Sequence, residues 1–110
     1  MQAKPAMFKI VASPTFTAVV NVPVPGGGVQ PLELVFKHKT RDAAKAYLSR
    51  PPQDGDTDGS VLDEIVADWR NVEEPYTPEN MTVLCGNFPG APEAILESYL
   101  TELGVVRRKN

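Results

Sequence analysis

The residues with the clearest chemical potential lie in the stretch D-G-D-T-D-G at 54–59, where three aspartates alternate with small residues. This order is the first half of an EF-hand calcium loop, in which carboxylate oxygens bind Ca²⁺. Such a loop also needs a bidentate glutamate at its twelfth position, which is Ile65 here, while Glu64 comes one residue early. The pattern therefore indicates an acidic linker ahead of a helix. A small acidic protein-binding module with weak calcium binding at 54–59 is the alternative, and calorimetric titration with calcium separates the two.

Acid–base or nucleophilic catalysis has few candidates, because the chain contains one histidine and one cysteine. His38 follows an alternating segment, and Cys85 falls on the apolar face of a helical pattern with no oxyanion-hole motif nearby. Acidic pairs such as Glu73 and Glu74 have polar neighbours, so we expect them to be exposed and solvated. The glycines at 26–28 are not followed by the Gly-Lys-Ser/Thr of a phosphate-binding loop. We therefore expect no enzymatic activity, no cofactor and no bound metal.

Length and composition are those of an ordinary globular domain. The 110 residues, 42% hydrophobic and 23% charged, suffice for one domain with its own core. A single cysteine excludes an internal disulfide, which is typical of a reducing compartment. The N-terminal sequence M-Q-A-K-P-A-M-F-K lacks the apolar core of a signal peptide, and no apolar run approaches the roughly 20 residues of a membrane span. We therefore expect a cytoplasmic protein without a membrane partner.

The net charge of −3 conceals an uneven distribution. Residues 1–50 hold seven Lys/Arg and two Asp/Glu, a charge of +5, whereas residues 51–80 hold one and nine, a charge of −8. A basic half and an acidic middle can attract copies of the same chain head to tail, so we expect a homo-oligomer. Solvated surface on a small domain is the alternative. Since the basic residues are not interleaved with aromatic ones, we expect no nucleic-acid partner.

Residues 7–39 are predicted to form a β-hairpin region. The segments 15–22 and 32–38 alternate apolar and polar residues with the period of two that a half-buried strand requires. The connector between them, 23–31, is rich in proline and glycine. Two strands alone are marginally stable in water, so we expect helices to cover their apolar face.

Four helices are predicted to follow in the region 40–104. Each repeats apolar residues at helical spacing, and most begin at a capping side chain. In the second helix, Ser60 and Asp63 form a predicted capping box, and Trp69 falls on the apolar face. The expected bounds are 41–49 after Thr40, 60–71, a third helix opened by Thr77 and closed by Gly86, and 92–103 before Gly104.

The predicted fold class is therefore α+β. One domain spans residues 1–110, in which a long N-terminal β-hairpin packs against about four short α-helices and a basic tail follows at 105–110. Trp69 and Tyr76 bracket an acidic turn in this domain. Aromatic residues of this kind anchor interfaces and equally often complete a small core. Both interpretations stay open; on the first, Trp69 and Tyr76 are the partner-binding residues.

The C-terminal half has a distinctive order: a helix ending in Asp-Trp, an acidic turn, Pro-Tyr-Thr, a helix, a proline break and a last helix. The blocks are I-V-A-D-W-R-N-V at 65–72, P-Y-T-P-E-N-M at 75–81 and F-P-G-A-P-E-A-I at 88–95, with V-F-K-H-K-T-R upstream. Over roughly residues 32–110, this order resembles the phage tail assembly chaperone family, from long-tailed phages and prophages.

The resemblance implies a function in the host cell cytoplasm. Such a chaperone coats the very long tape measure protein, keeps it soluble, helps recruit tail tube subunits around it, and is absent from the mature virion. A longer form is commonly made by a programmed ribosomal frameshift, and the Arg-Lys-Asn at 108–110 can be encoded by a slippery heptamer. The implied partners are the tape measure protein and, mainly through the longer form, the tail tube protein.

Overall fold

The computed structural model describes residues 7–106 and contains one three-stranded antiparallel sheet and four helices within that range. The predicted α+β class is thus confirmed. Of the predicted basic tail at 105–110, residues 107–110 lie outside the described part of the chain. None of the described helices is long and apolar enough to cross a bilayer. The elements are β1 (Thr15–Pro23), β2 (Val29–Lys37), α1 (Arg41–Leu48), α2 (Asp58–Leu62), β3 (Val66–Trp69), α3 (Pro78–Asn87) and α4 (Ala91–Leu103).

The hairpin of β1 and β2 is confirmed, with a tighter tip than the connector predicted at 23–31. The strands pair up to Pro23 opposite Val29, so the turn occupies residues 24–28. Within it, the glycines at 26–28 have φ values of 93°, 103° and 81°. Glycine adopts this left-handed region without the steric cost that a Cβ would bring, which is why three glycines stand at the tip.

The prediction of a helix at 60–71 is wrong beyond Leu62. α2 ends at Leu62, and β3 follows as an edge strand paired with β2. The register skips Ala67, so this residue forms a β-bulge. The bulge brings Val66 and Trp69 to the same buried side although they are three positions apart. Apolar residues three positions apart also lie on one face of a helix, which is why the sequence pattern predicted a helix where β3 is found.

Local capping chemistry sets the other helix boundaries. α2 begins earlier than predicted because Thr57, and not Ser60, is the N-cap; its hydroxyl accepts the Ser60 N–H at 3.0 Å, and Ser60 Oγ accepts the Thr57 N–H at 2.8 Å. Asp63, the predicted partner in the capping box, is instead the C-cap. Thr77 caps α3 as predicted, but the predicted end at Gly86 is wrong: Gly86 does not adopt the positive φ of a glycine cap, so α3 continues to Asn87 and Phe88 is its C-cap. Gly104 closes α4 as predicted, with a φ of 82°.

One apolar core lies between the sheet and the helices. Tyr99 of α4 stacks on Phe16 and tilts against Phe36, with ring centroids 6.0 and 5.1 Å apart. Its hydroxyl donates a hydrogen bond to the carbonyl oxygen of Lys37 at 2.7 Å, which satisfies the buried polar group. The largest fully buried side chains are Tyr99, Phe36, Leu34, Ile65, Met81, Ile95, Val20 and Val66.

Residues 7–14, predicted as part of the hairpin region, form neither helix nor strand. The carbonyl oxygen of Pro14 accepts the backbone N–H of His38 at 2.9 Å, which continues the β1–β2 ladder by one step. The segment 7–11 lies ahead of this anchor, at the end of the hairpin opposite its turn, and is called the N-terminal arm below.

Candidate functional site

Trp69, one of the two predicted partner-binding residues, ends β3 with 6% of its surface exposed. Its indole N–H donates a hydrogen bond to the carbonyl oxygen of Glu74 at 2.8 Å. Its ring meets Tyr76 edge to face, with ring centroids 5.3 Å apart. Trp69 therefore holds the acidic turn against the sheet, and it also lines an outer groove.

Tyr76, the second predicted residue, is half-buried and bonded inward. Its hydroxyl donates to Asp63 Oδ1 at 2.8 Å. Burial, and then the bonded Asp63 carboxylate, raise the pKa of Tyr76 well above its usual value, so the hydroxyl stays protonated at physiological pH. The structure thus brings Trp69 and Tyr76 together as one packed pair. Their contact with a partner stays a prediction.

A groove lies at the tip end of the hairpin, between the sheet, the acidic turn and α3. One part has a volume of about 260 Å³ and the other about 290 Å³. The two parts share the side chains of Val72, Leu84 and Phe88, so they adjoin each other, and acidic groups stand beside these apolar side chains. This end groove is lined by Val22, Val24, Trp69, Val72, Leu84 and Phe88 and rimmed by Glu73 and Glu74.

A larger groove of about 840 Å³ lies beside α1, α2 and α4. The hydroxyl of Tyr47 donates to the carbonyl oxygen of Val61 at 2.9 Å, which ties α1 to α2 along this groove. Burial, aided by the charge of Glu64, raises the pKa of Tyr47 to about 12. This interhelical groove has an apolar floor of Tyr47, Val61, Leu62 and Leu96 and carries the carboxylates of Asp58 and Glu93.

Two surfaces with binding potential are missing from the predicted sites. Tyr47 and Leu96 of the interhelical groove fall on apolar helical stripes, as core residues do, so the sequence holds no separate signal for that groove. The N-terminal arm at 7–11, in contrast, does have a sequence signal. Its four apolar residues precede the first alternating strand and fit no period of two, which indicates a segment outside the sheet.

Of the three aspartates at 54–59, Asp56 forms an ion pair and Asp58 lies in the first turn of α2. The Asp56 carboxylate accepts hydrogen bonds from the Arg50 guanidinium at 2.9 and 3.0 Å and from the backbone N–H of Gln53 at 2.8 Å. Arg50 also pairs with Glu64 through Nε and Oε2, 2.8 Å apart. Across residues 7–106, no three His, Cys, Asp or Glu side chains are grouped to hold a metal ion. A calcium ion at this loop would have to displace Arg50 from the Asp56 carboxylate.

The Arg50–Asp56 pair predicts a loss of stability in acid. Hydrogen bonds, first from Arg50 and then from the Gln53 backbone, lower the pKa of Asp56 to about 2. A carboxyl with a lowered folded pKa stabilises the fold above its unfolded pKa of about 3.9 and loses that contribution as the pH falls through the folded value. Asp56→Asn should therefore lose less stability than wild type between about pH 5 and about pH 2, in urea unfolding. Asp54→Asn is the exposed control, and equal pH slopes for wild type and Asp56→Asn would contradict the assignment.

His38 and Cys85 lie in different environments. His38 is exposed just after β2, whereas Cys85 points into the core from α3 with 3% of its surface exposed. Burial raises the pKa of the Cys85 thiol to about 11, so the thiol is protonated and unreactive at neutral pH.

Comparison with known proteins extends the resemblance to the N-terminal strand. No curated protein and no solved structure matches this chain. A family model described as phage tail assembly chaperone matches residues 3–110, a range that includes the arm, the hairpin and both grooves. A match of this length covers essentially the whole domain. The chain therefore belongs to the phage tail assembly chaperone family.

Proposed function

We propose that this chaperone binds the tape measure protein and keeps it soluble in the host cell cytoplasm until tail tube subunits assemble around it, after which the chaperone leaves the tail. Membership of the family supports this function. The role is one of binding without chemistry. The observation that carries it is the interhelical groove of about 840 Å³, an open apolar surface on a folded domain.

The chemistry of the interhelical groove defines the segment that fits it. The floor of Tyr47, Val61 and Leu96 accepts apolar side chains. Arg50 at its edge is engaged by two carboxylates, so the charges left to meet a partner are those of Asp58 and Glu93. The groove therefore favours a tape measure segment with an apolar stripe flanked by lysine or arginine.

A charge placed in this groove tests the proposal. Leu96→Glu should weaken binding of the tape measure protein from the same phage at least tenfold, about 1.4 kcal/mol, because a buried carboxylate replaces an apolar contact. The measurement is co-expression of the two proteins, followed by the soluble fraction and by titration. In wild type the tape measure protein should stay soluble; with Leu96→Glu it should precipitate.

Leu100→Glu is the matched control for this experiment. Leu96 and Leu100 are both half-buried leucines of α4 that pack against the core, but Leu100 is outside the groove lining. Thermal unfolding of both variants shows whether either substitution disturbs the fold. Equal loss of binding in two folded variants would remove the interhelical groove as the binding surface.

Recruitment of tail tube subunits is the second part of the proposed function. On this proposal a longer, frameshifted form carries the contact with the tail tube protein, while the residues of the present chain hold the tape measure protein. Tail tube protein should co-purify with the longer form and not with the 110-residue chain. Self-association of the chain is the third part, so that copies can coat a partner much longer than one domain.

A further inference from the structure

The N-terminal arm is an apolar segment whose large side chains are exposed to solvent. Met7, Phe8, Ile10 and Val11 are 87%, 93%, 95% and 79% exposed. Single exposed apolar residues are ordinary on a protein surface, but four large ones within five positions form a contiguous patch that marks an interaction site. Lys9, in the centre of the arm, adds a positive charge.

The end groove has the complementary character. It offers an apolar hollow between Val22, Leu84 and Phe88. The exposed carboxylates of Glu73 and Glu74 stand at its rim. A segment with an aromatic side chain next to a lysine, such as Phe8 and Lys9, therefore matches this groove in both polarity and charge.

The arm does not reach the part of its own groove at Val22, which lies nearest the hairpin turn. The Pro14 carbonyl is bonded to His38, so the arm starts from the end of β1 that is opposite the hairpin turn. Phe8 precedes Pro14 by six residues and reaches at most about 20 Å from it. Val22 lies eight residues beyond Pro14, about 26 Å along the strand. Even when the arm is fully extended and folded back along β1, its Phe8 backbone therefore ends short of Val22, at the part of the groove nearest the hairpin turn.

We infer that the N-terminal arm of one copy docks in the end groove of a second copy, with Phe8 between Val22, Leu84 and Phe88 and with Lys9 beside Glu73 and Glu74. The two patches differ and lie at opposite ends of the molecule, so the contact is heterologous. Each docked copy still presents a free groove at one end and a free arm at the other. The product is an open row of copies that lengthens with concentration. This inference rests on the self-association in the proposed function and not on tape measure binding, which uses the interhelical groove.

The first test is sedimentation velocity from micromolar to millimolar protein concentration. Wild type should form species that grow with concentration. Phe8→Glu should remain monomeric, with the association constant lowered at least about tenfold, because it puts a charge into an apolar hollow. The arm lies outside the fold, so this variant should unfold at the wild-type temperature. Val19→Glu is the control, since Val19 is 57% exposed on β1 and belongs to neither patch.

Mixing two defective variants tests the pairing of the patches. The double variant Glu73→Lys/Glu74→Lys has an intact arm and a groove of reversed charge. The variant Phe8→Glu has an intact groove and an arm that can no longer dock. Each variant alone should be monomeric, and an equimolar mixture should form dimers and stop there, because one intact arm and one intact groove remain. Lys9→Glu added to the groove variant should restore growth by exchanging the charges.

Several outcomes would overturn the inference. Wild type that is monomeric at millimolar concentration, or that stops at a symmetric dimer, excludes an open row. Association lost in Val19→Glu and kept in Phe8→Glu assigns the contact to the β1 edge. Phe8→Glu that associates normally but binds the tape measure protein more weakly assigns the arm to that partner. The Leu96→Glu experiment is read separately, so a failure of either proposal can be recognised on its own.

Discussion

Gly59→Ala is expected to destabilise the protein by about 3 kcal/mol or more, a large share of the 5–15 kcal/mol that a typical domain has. Gly59 lies buried in α2, and its N–H donates to Thr82 Oγ1 of α3 at 2.9 Å. A Cβ at this position would overlap the backbone carbonyl oxygen of Pro78 and crowd Thr82. A carbonyl in the first turn of a helix cannot rotate away as a side chain can, so α2 and α3 must separate. The measurement is urea unfolding of both proteins.

Gly86→Ala is the matched control, with an effect of opposite sign. Gly86 lies exposed within α3, and a Cβ there meets nothing within 4 Å. Alanine lowers the conformational entropy of the unfolded chain, so this variant should gain about 0.5–1 kcal/mol. For a domain of this size that gain raises Tm by roughly 2–8 °C. A Gly59→Ala variant as stable as wild type would contradict the close contact between α2 and α3 at this position.

Trp69→Ala should cost about 3–5 kcal/mol in free energy of unfolding. The ring is 6% exposed, and its removal leaves a cavity beneath the acidic turn and an unbonded carbonyl at Glu74. The milder Trp69→Phe retains most of the apolar contact and should cost about 1 kcal/mol, mainly for the lost hydrogen bond. Chemical unfolding followed by circular dichroism measures both, since tryptophan fluorescence is lost with the residue.

The Trp69 variants also decide between the two interpretations of this residue. Val83→Ala, at a position that borders the same groove but is 60% exposed, serves as the surface control and should change stability by less than about 0.5 kcal/mol. A large stability loss in Trp69→Ala alone places the indole in the core. Unchanged stability together with lost self-association or partner binding would make Trp69 an interface residue with little role in the fold.

Where the signal is local, sequence and structure agree. The alternation of the two hairpin strands depends on the pleat alone, and β1 and β2 form as the pattern predicts. Thr77 at the start of α3 and Gly104 after α4 act through hydrogen bonds and backbone angles within a few residues, so both boundaries were predictable. Residues that need no distant partner to adopt their conformation can be assigned from the sequence.

β3 shows where assignment from local sequence signals fails. Trp69 pairs with Leu34, 35 positions earlier, and no local signal announces that partner. The bulge at Ala67 also destroys the period of two that marks a strand, and the apolar residues that remain have the spacing of a helix. The prediction extended α2 by this spacing, whereas pairing with β2 gives residues 66–69 the extended conformation.

The sequence by itself determined the fold class, the hairpin, the start of α3 and the end of α4, because these depend on side-chain period and on caps within a few residues. Only the tertiary structure decided that Trp69 belongs to a strand. The tertiary structure also decided that Arg50 forms an ion pair with Asp56. It placed the apolar arm and the groove with its acidic rim at opposite ends of the hairpin. Grooves form where segments distant in the chain pack side by side. The sequence of one segment does not indicate which other segment packs against it, so grooves cannot be predicted from local sequence.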